Sequence, residues 1–149
     1  MAALTDRHAN LPALEAALAA IEALGIERIL CGGDLVGYGP HPNEVCARTE
    51  ELAVPTIYGN YDYAIARGLE DCGCAYVNPH DRAIGQLSVD WTLAHTDERA
   101  RQFMHELPFD LRFELGGKRV RLVHGSPRIA AVADCDVLVF GHTHKAMGA

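Results

Sequence analysis

At 149 residues, 49% of them hydrophobic, the chain is long enough to bury one core and too short for two comfortable domains, so a single domain over 1–149 is expected. Thirteen Lys and Arg against 20 Asp and Glu leave a formal net charge of −7, which argues against stable nucleic-acid binding, since that mode needs basic side chains on the phosphates. The opening MAALTD has neither a basic n-region nor an apolar h-region, and no run reaches ~18 apolar residues, so no membrane association and a reduced, cytoplasmic setting are expected.

In chain order, residues 2–5 form a short apolar run ending at Asp6, a truncated first strand. Residues 11–24 (LPALEAALAAIEAL) follow Asn10 as N-cap, carry Pro12 in the first turn and stop at Gly25, which predicts an amphipathic core helix. Residues 28–31 predict a buried strand, broken by Gly32-Gly33 just before Asp34. Residues 42–52 predict a second helix and 56–58 a third strand closed by Gly59. The order strand, helix, strand, helix, strand suits parallel crossovers.

Residues 62–106 carry no strand signal. Helical spacing runs over 79–93 and 97–107, the second capped by Thr96, with Glu98 and Arg101 outside and Phe103 and Leu107 inside. Residues 111–115 alternate apolar and charged, turn at Gly116-Gly117 and return through Val120, Leu122 and Val123, a hairpin with one solvated face. The fully apolar run 137–140 predicts a central strand, ended by Gly141. There is no internal repeat or linker.

Five cysteines at no framework spacing do not suggest disulfides. Cys31 and Cys135 adjoin strand runs and read as small buried hydrophobes. Cys72-Gly73-Cys74 has no second pair to complete a zinc site and reads as a free pair in a surface loop.

Seven side chains able to ligate metal stand in five short clusters, each where a predicted strand gives way to a loop: Asp6 and His8, Asp34, Asn60, His124, and His142 and His144. In open α/β sheets ligands gather at the carboxyl ends of strands. Two residues apart on extended backbone, Asp6 and His8 are expected to point to one side, as are His142 and His144. Gly33, Gly59, Gly125 and Gly141 lie beside these positions, where a missing Cβ permits a sharp turn or close approach. Mixed N/O ligands of this kind suit divalent manganese, iron, zinc or nickel. Taken singly, His8 or His124 reads more readily as a hydrogen-bonded structural histidine; seven together shift the weight to a metal site. His41, His80, His95 and His105 lie outside the clusters and read as surface or capping residues. Tyr61 and Tyr63 could stack a nucleobase at the site mouth, although helix packing is the plainer reading of Tyr63.

The series D-x-H, GD, GN-x-D, HG, GH-x-H resembles the calcineurin-like metallophosphoesterase superfamily, and the strings HANLPAL, GGDLVGYGPHP and VHGSP are similar to those of its small bacterial YfcE-like branch. The resemblance spans about residue 2 to residue 145, with all five motifs in order. It implies an α/β fold of stacked mixed β-sheets flanked by helices. It also implies two divalent metal ions: Asp6, His8 and His144 on the first, Asn60, His124 and His142 on the second, and Asp34 bridging. The implied activity is hydrolysis of phosphodiesters or small phosphomonoesters through a metal-bridging water or hydroxide, with manganese the leading metal. Two bound cations would turn this acidic pocket into an anion site, so a nucleotide-like substrate fits the net charge. Asn60, Tyr61, Asp62 and His124 are the implied catalytic group, Asp62 by orienting a neighbour.

Some positions depart from the pattern. Tyr61 stands where the superfamily often has a catalytic His, and a phenol with pKa near ~10 shuttles protons less readily. Arg7 replaces an apolar residue and Ala9 a common Gly. Only 17 residues separate His124 from His142, and the strands that commonly follow the last motif are absent, so a reduced second sheet is expected, with an edge open to homodimer pairing. Two alternatives therefore stand beside the leading one: a weakly active or inactive metal-binding scaffold on the same fold and, ranked lower, a protein Ser/Thr phosphatase.

Overall fold

A computed structural model describes residues 1–125 and 134–144. Its elements run β1 (Ala2–Leu4), α1 (Leu11–Ala23), β2 (Ile29–Cys31), α2 (Pro42–Leu52), α3 (Asn60–Ala66), α4 (Pro79–His95), α5 (Glu98–Glu106), β3 (Asp110–Leu115), β4 (Lys118–Val123) and β5 (Val137–Phe140). The mixed α/β architecture expected from the sequence is present.

β1 and β2 pair in parallel, with Leu4 opposite Cys31. The expected third strand over 56–58 is reduced to a single parallel bridge between Cys31 and Thr56. Pro55 contributes to this: it has no N–H to extend a ladder, and the chain enters α3 four residues after Thr56. The second sheet has the order β3-β4-β5, antiparallel then parallel. Residues 137–140 therefore form an edge strand among the described residues, not the central one expected. The central place goes to β4, whose last four residues are buried while Val137 stays exposed. An unbroken apolar run marks hydrophobic surroundings; it does not say how many strands flank it.

Two cores position these sheets. Leu14, Val45, Tyr61, Ile65, Val89 and Met104 join the helices to one face of the first sheet. Leu30, Ile57 and Leu122 fill the space between the sheets, with Phe113 and Val139 packed against them. Each fully buried aliphatic side chain of this kind stabilises the fold by about 1.5–3 kcal/mol.

Local chemistry sets the helix ends. The Asn10 side chain accepts from the Ala13 amide, and Gly25 with φ +64° ends α1. α5 is capped by Asp97, whose carboxylate accepts from the Ala100 amide; the expected cap, Thr96, instead donates its hydroxyl to the Thr92 carbonyl. Arg101, expected outside, turns in and donates to the carbonyls of Ile65, Leu93 and Thr96 near the ends of α3 and α4. A long cation can satisfy orphan C-terminal carbonyls, and spacing alone does not distinguish that role from exposure. Cys31 is buried as expected, whereas Cys135 is only partly buried. Among the described residues, no helix is long and apolar enough to cross a membrane.

Candidate active site

Asp6 and His8 follow β1, Asp34 follows β2, Asn60 opens α3 after the Thr56 bridge, His124 follows β4, and His142 and His144 follow β5. All seven converge on one end of the two sheets. The link between sheets is direct: His124 Nδ1 lies 2.8 Å from the Gly32 carbonyl just past β2.

The backbone at these positions is not extended. Asp6 (φ +53°), His8 (+46°), Asp34 (+50°), His142 (+70°) and His144 (+51°) are all left-handed, which corrects the expectation that alternation along a strand aims the D-x-H and H-x-H pairs. A non-glycine residue there costs on the order of 1–3 kcal/mol, and such strain persists only where surroundings impose it. The surroundings are visible. Amides of Asp6, His8 and Ala9 donate to the carbonyls of Gly33, Asp34 and Leu35, tying the two ligand loops together. The His142 amide donates to both oxygens of Asp6, at 2.9 and 3.1 Å.

Gly33 and Gly59 meet back to back beneath the site. A Cβ on Gly33 would strike the Gly59 amide, and one on Gly59 would strike the Asp34 carboxylate. Asp62, fully buried, braces the same junction: its carboxylate accepts from the amides of Leu35 (2.8 Å), Val36 (3.2 Å) and Gly59 (2.9 Å). Burial, with the nearby Asp34 charge, pushes its pKa up to about 6, against the pull of the amides. Asp62 thus holds loops and does not face the cluster's centre.

Ligand-capable atoms gather in two groups, Asp6 with His8 and His144, and Asp34 with His124 and His142, each set lying within 4.8 Å of one another. Asp34 Oδ2 spans the gap, 3.1 Å from His124 Nε2 and 3.6 Å from His8 Nε2. Asn60 turns its Oδ1 to His142 Nδ1 at 2.9 Å while its amide nitrogen donates to the Cys72 carbonyl.

The tautomers can be argued from partners. A carbonyl only accepts, so His124 Nδ1 must donate to Gly32 and His8 Nδ1 to Val36, 3.0 Å away. That leaves each neutral Nε2 as a lone pair. His8 Nε2 faces His144 Nε2 at 3.0 Å, and His124 Nε2 is buried with no hydrogen-bond partner. Lone pairs set against carboxylates call for a cation between them, so the donor set fits divalent metal. Without metal the proton takes that part: burial opposes it, but the Asp34 carboxylate outweighs burial and lifts the His124 pKa to about 9. At His8 burial prevails and lowers the pKa.

Tyr61 is not at the mouth. Its ring is buried against His8, at 5.5 Å between centroids, and burial raises its pKa, so the phenol stays protonated. It borders a cavity of about 220 Å³ with Tyr38, Tyr76, His8 and Asp34. A larger cavity, about 550 Å³, opens beside Asn60, His124 and His142. Cys72 and Cys74 are free thiols in the loop between α3 and α4, as expected, but Cys72 is buried; both pack on Asn60, whose amide nitrogen lies 3.3 Å from the Cys74 sulfur. Nothing in the CGC spacing signals that contact.

A sequence profile of the calcineurin-like phosphoesterase superfamily domain matches residues 1–148, and the chain belongs to that superfamily. The match does not single out the YfcE-like branch. An uncharacterized protein of Methanocaldococcus jannaschii is 30% identical over 157 residues, covering 97% of this chain and 62% of that one. A solved structure of a metallophosphoesterase from Sphaerobacter thermophilus is similar at 31% identity and TM-score 0.66, covering 95% of this chain and 59% of the other. A hypothetical protein from Pyrococcus horikoshii OT3 is similar at 28% identity and TM-score 0.69, covering 86% and 56% respectively. This chain thus spans between 56% and 62% of the length of these relatives. The family implies divalent metal ions and a phosphoesterase hydrolase.

Proposed function

We propose that the chain carries a dinuclear phosphoesterase site, with Asp6, His8 and His144 holding one ion, Asn60, His124 and His142 the other, and Asp34 shared. The observation that carries this reading is the buried, unpartnered Nε2 of His124 set 3.1 Å from Asp34 Oδ2, with His8 Nε2 on the other side of the same carboxylate. Divalent ions bound there supply Lewis-acid charge for phosphoryl oxygens and a water acidic enough to attack phosphorus at neutral pH.

The chain's own residues do the rest. Backbone carbonyls of Gly32 and Val36 fix His124 and His8 with Nε2 inward. The Tyr61 amide holds Asp34 Oδ1 at 3.0 Å, leaving Oδ2 for the site. Asp62 locks the Asp34 and Asn60 loops from behind. The Tyr61 phenol, protonated and buried, packs under His8 and donates to the Ser88 hydroxyl at 3.5 Å; it does not serve as a general base.

The substrate class is phosphodiesters or small phosphomonoesters and the leading metal manganese, with iron, zinc and nickel compatible with the donors. The test is hydrolysis of bis-p-nitrophenyl phosphate by metal-stripped protein before and after Mn²⁺. Metal-restored turnover that is lost in His124→Ala and Asp34→Asn supports the reading. Two bound ions without turnover would favour the scaffold alternative, for which Tyr61 in place of a proton-shuttling His is the specific motive.

A further inference from the structure

We propose that the larger cavity is a subsite for a nucleobase, carried on the phosphate ester whose phosphate sits at Asn60, His124 and His142. This rests on the phosphoesterase reading and names its substrate class.

The cavity joins two kinds of wall. One is the ligand cluster itself, through Asn60, His124 and His142. The other is aromatic: Tyr58, Tyr63 and Phe109 form a continuous shelf, with ring centroids 5.4 Å apart between Tyr58 and Tyr63 and 5.9 Å between Tyr58 and Phe109. Tyr63 is 39% and Phe109 48% exposed. Single exposed rings are ordinary on a protein surface, but three in contact, lining one cavity with a ligand cluster, are not scatter.

Rigidity favours the same reading. The Arg67 guanidinium lies over Tyr63, 3.9 Å from the ring centroid, and donates to the Tyr63 carbonyl; it is not among the cavity-lining residues. Tyr63 is thereby held in place by a cation–π contact outside the cavity. The Tyr58 amide is tied to the Pro108 carbonyl, which fixes the two halves of the shelf relative to each other.

A cavity of about 550 Å³ is far larger than a phosphate needs and falls in the range of small-ligand sites, so a nucleoside can occupy it. Aromatic platforms stack bases through their faces, whichever base is offered. At the cavity edge lies Asp71, with one carboxylate oxygen accepting from the Gly73 amide at 2.7 Å. A carboxylate has further lone pairs that can accept from an exocyclic amino group, which adenine, cytosine and guanine carry and uracil and thymine lack.

The experiment uses the Mn²⁺-loaded full chain and calorimetric titration with hydrolysis-resistant phosphonate analogues of adenosine 5′-monophosphate and of ribose 5-phosphate. The adenosine compound is expected to bind at least about tenfold tighter, consistent with stacking on a ring platform. The ratio should fall towards 1 in Tyr63→Ala and in Phe109→Ala, and persist in Tyr63→Phe, which keeps the ring. Equal affinity in the wild type, or a preference untouched by both alanine variants, overturns the proposal. Turnover of bis-p-nitrophenyl phosphate reads the other question separately: turnover without base preference removes the subsite alone, and base preference without turnover removes the esterase reading while leaving the subsite.

Discussion

His124 Nε2 and Asp34 Oδ2 stand 3.1 Å apart, both buried, the nitrogen without a hydrogen bond. The imidazole is turned so that the Gly32 carbonyl takes its other nitrogen. The pair therefore waits for a positive charge, and what fills that need depends on conditions.

In metal-free protein the charge is a proton. The folded pKa of His124, about 9, lies above the ordinary 6.5, so its stabilisation is fully present below pH 6.5 and is lost as pH rises through 9. The shift corresponds to a contribution on the order of 3 kcal/mol at most. Thermal melts of metal-stripped protein should fall in Tm between pH 6.5 and 9, and added divalent metal should stabilise most at the alkaline end, where no proton competes. A flat Tm across that window in stripped protein would contradict this electrostatic account.

Arg7 is buried beside the Cys31 sulfur, with Nε and one terminal nitrogen lacking partners. A buried charge so poorly paired is weak support for a fold, and an apolar side chain of similar length often does as well or better. Arg7→Met should leave Tm unchanged or raise it; a drop of more than about 1 kcal/mol in denaturant unfolding would show that the guanidinium itself stabilises the fold.

Asp62→Asn keeps size but replaces one acceptor oxygen with a donor that would face an amide of Gly59, Leu35 or Val36. Leaving a buried amide unsatisfied costs about 1–3 kcal/mol. Circular-dichroism melts should record that loss, and metal affinity should fall with it because Asp34 and Asn60 depend on the same loops. Unchanged affinity would mean Asp62 does not position the ligands.

Gly59→Ala should be worse for the site than its size suggests, since its Cβ meets the Asp34 carboxylate and amide. A loss of metal binding with circular-dichroism helicity retained is expected; wild-type affinity would show that the loop yields easily.

Much of this was legible beforehand, for identifiable reasons. Residues 42–52 match α2 end for end, because Pro42 starts a helix cleanly and the apolar spacing stops at Leu52. The five polar clusters after apolar runs were visible because strand ends are where such residues collect. What stayed hidden depends on contacts between distant segments. Left-handed backbone at Asp6 and His8 is imposed by hydrogen bonds to residues 33 and 34, which no local pattern encodes. The inward turn of Arg101 and the packing of Cys72 on Asn60 likewise exist only once helices meet. Phe109 is distant in sequence from Tyr58 and Tyr63 and joins them as one shelf only when the chain returns to the site after α5.

Whether two ions share Asp34 is read by titrating metal-stripped protein with Mn²⁺ and recording electron paramagnetic resonance. Two ions per chain are expected, with a spin-coupled spectrum that reverts to isolated Mn²⁺ signals in Asp34→Asn. One ion per chain, or two ions with no coupling in the wild type, would contradict that sharing.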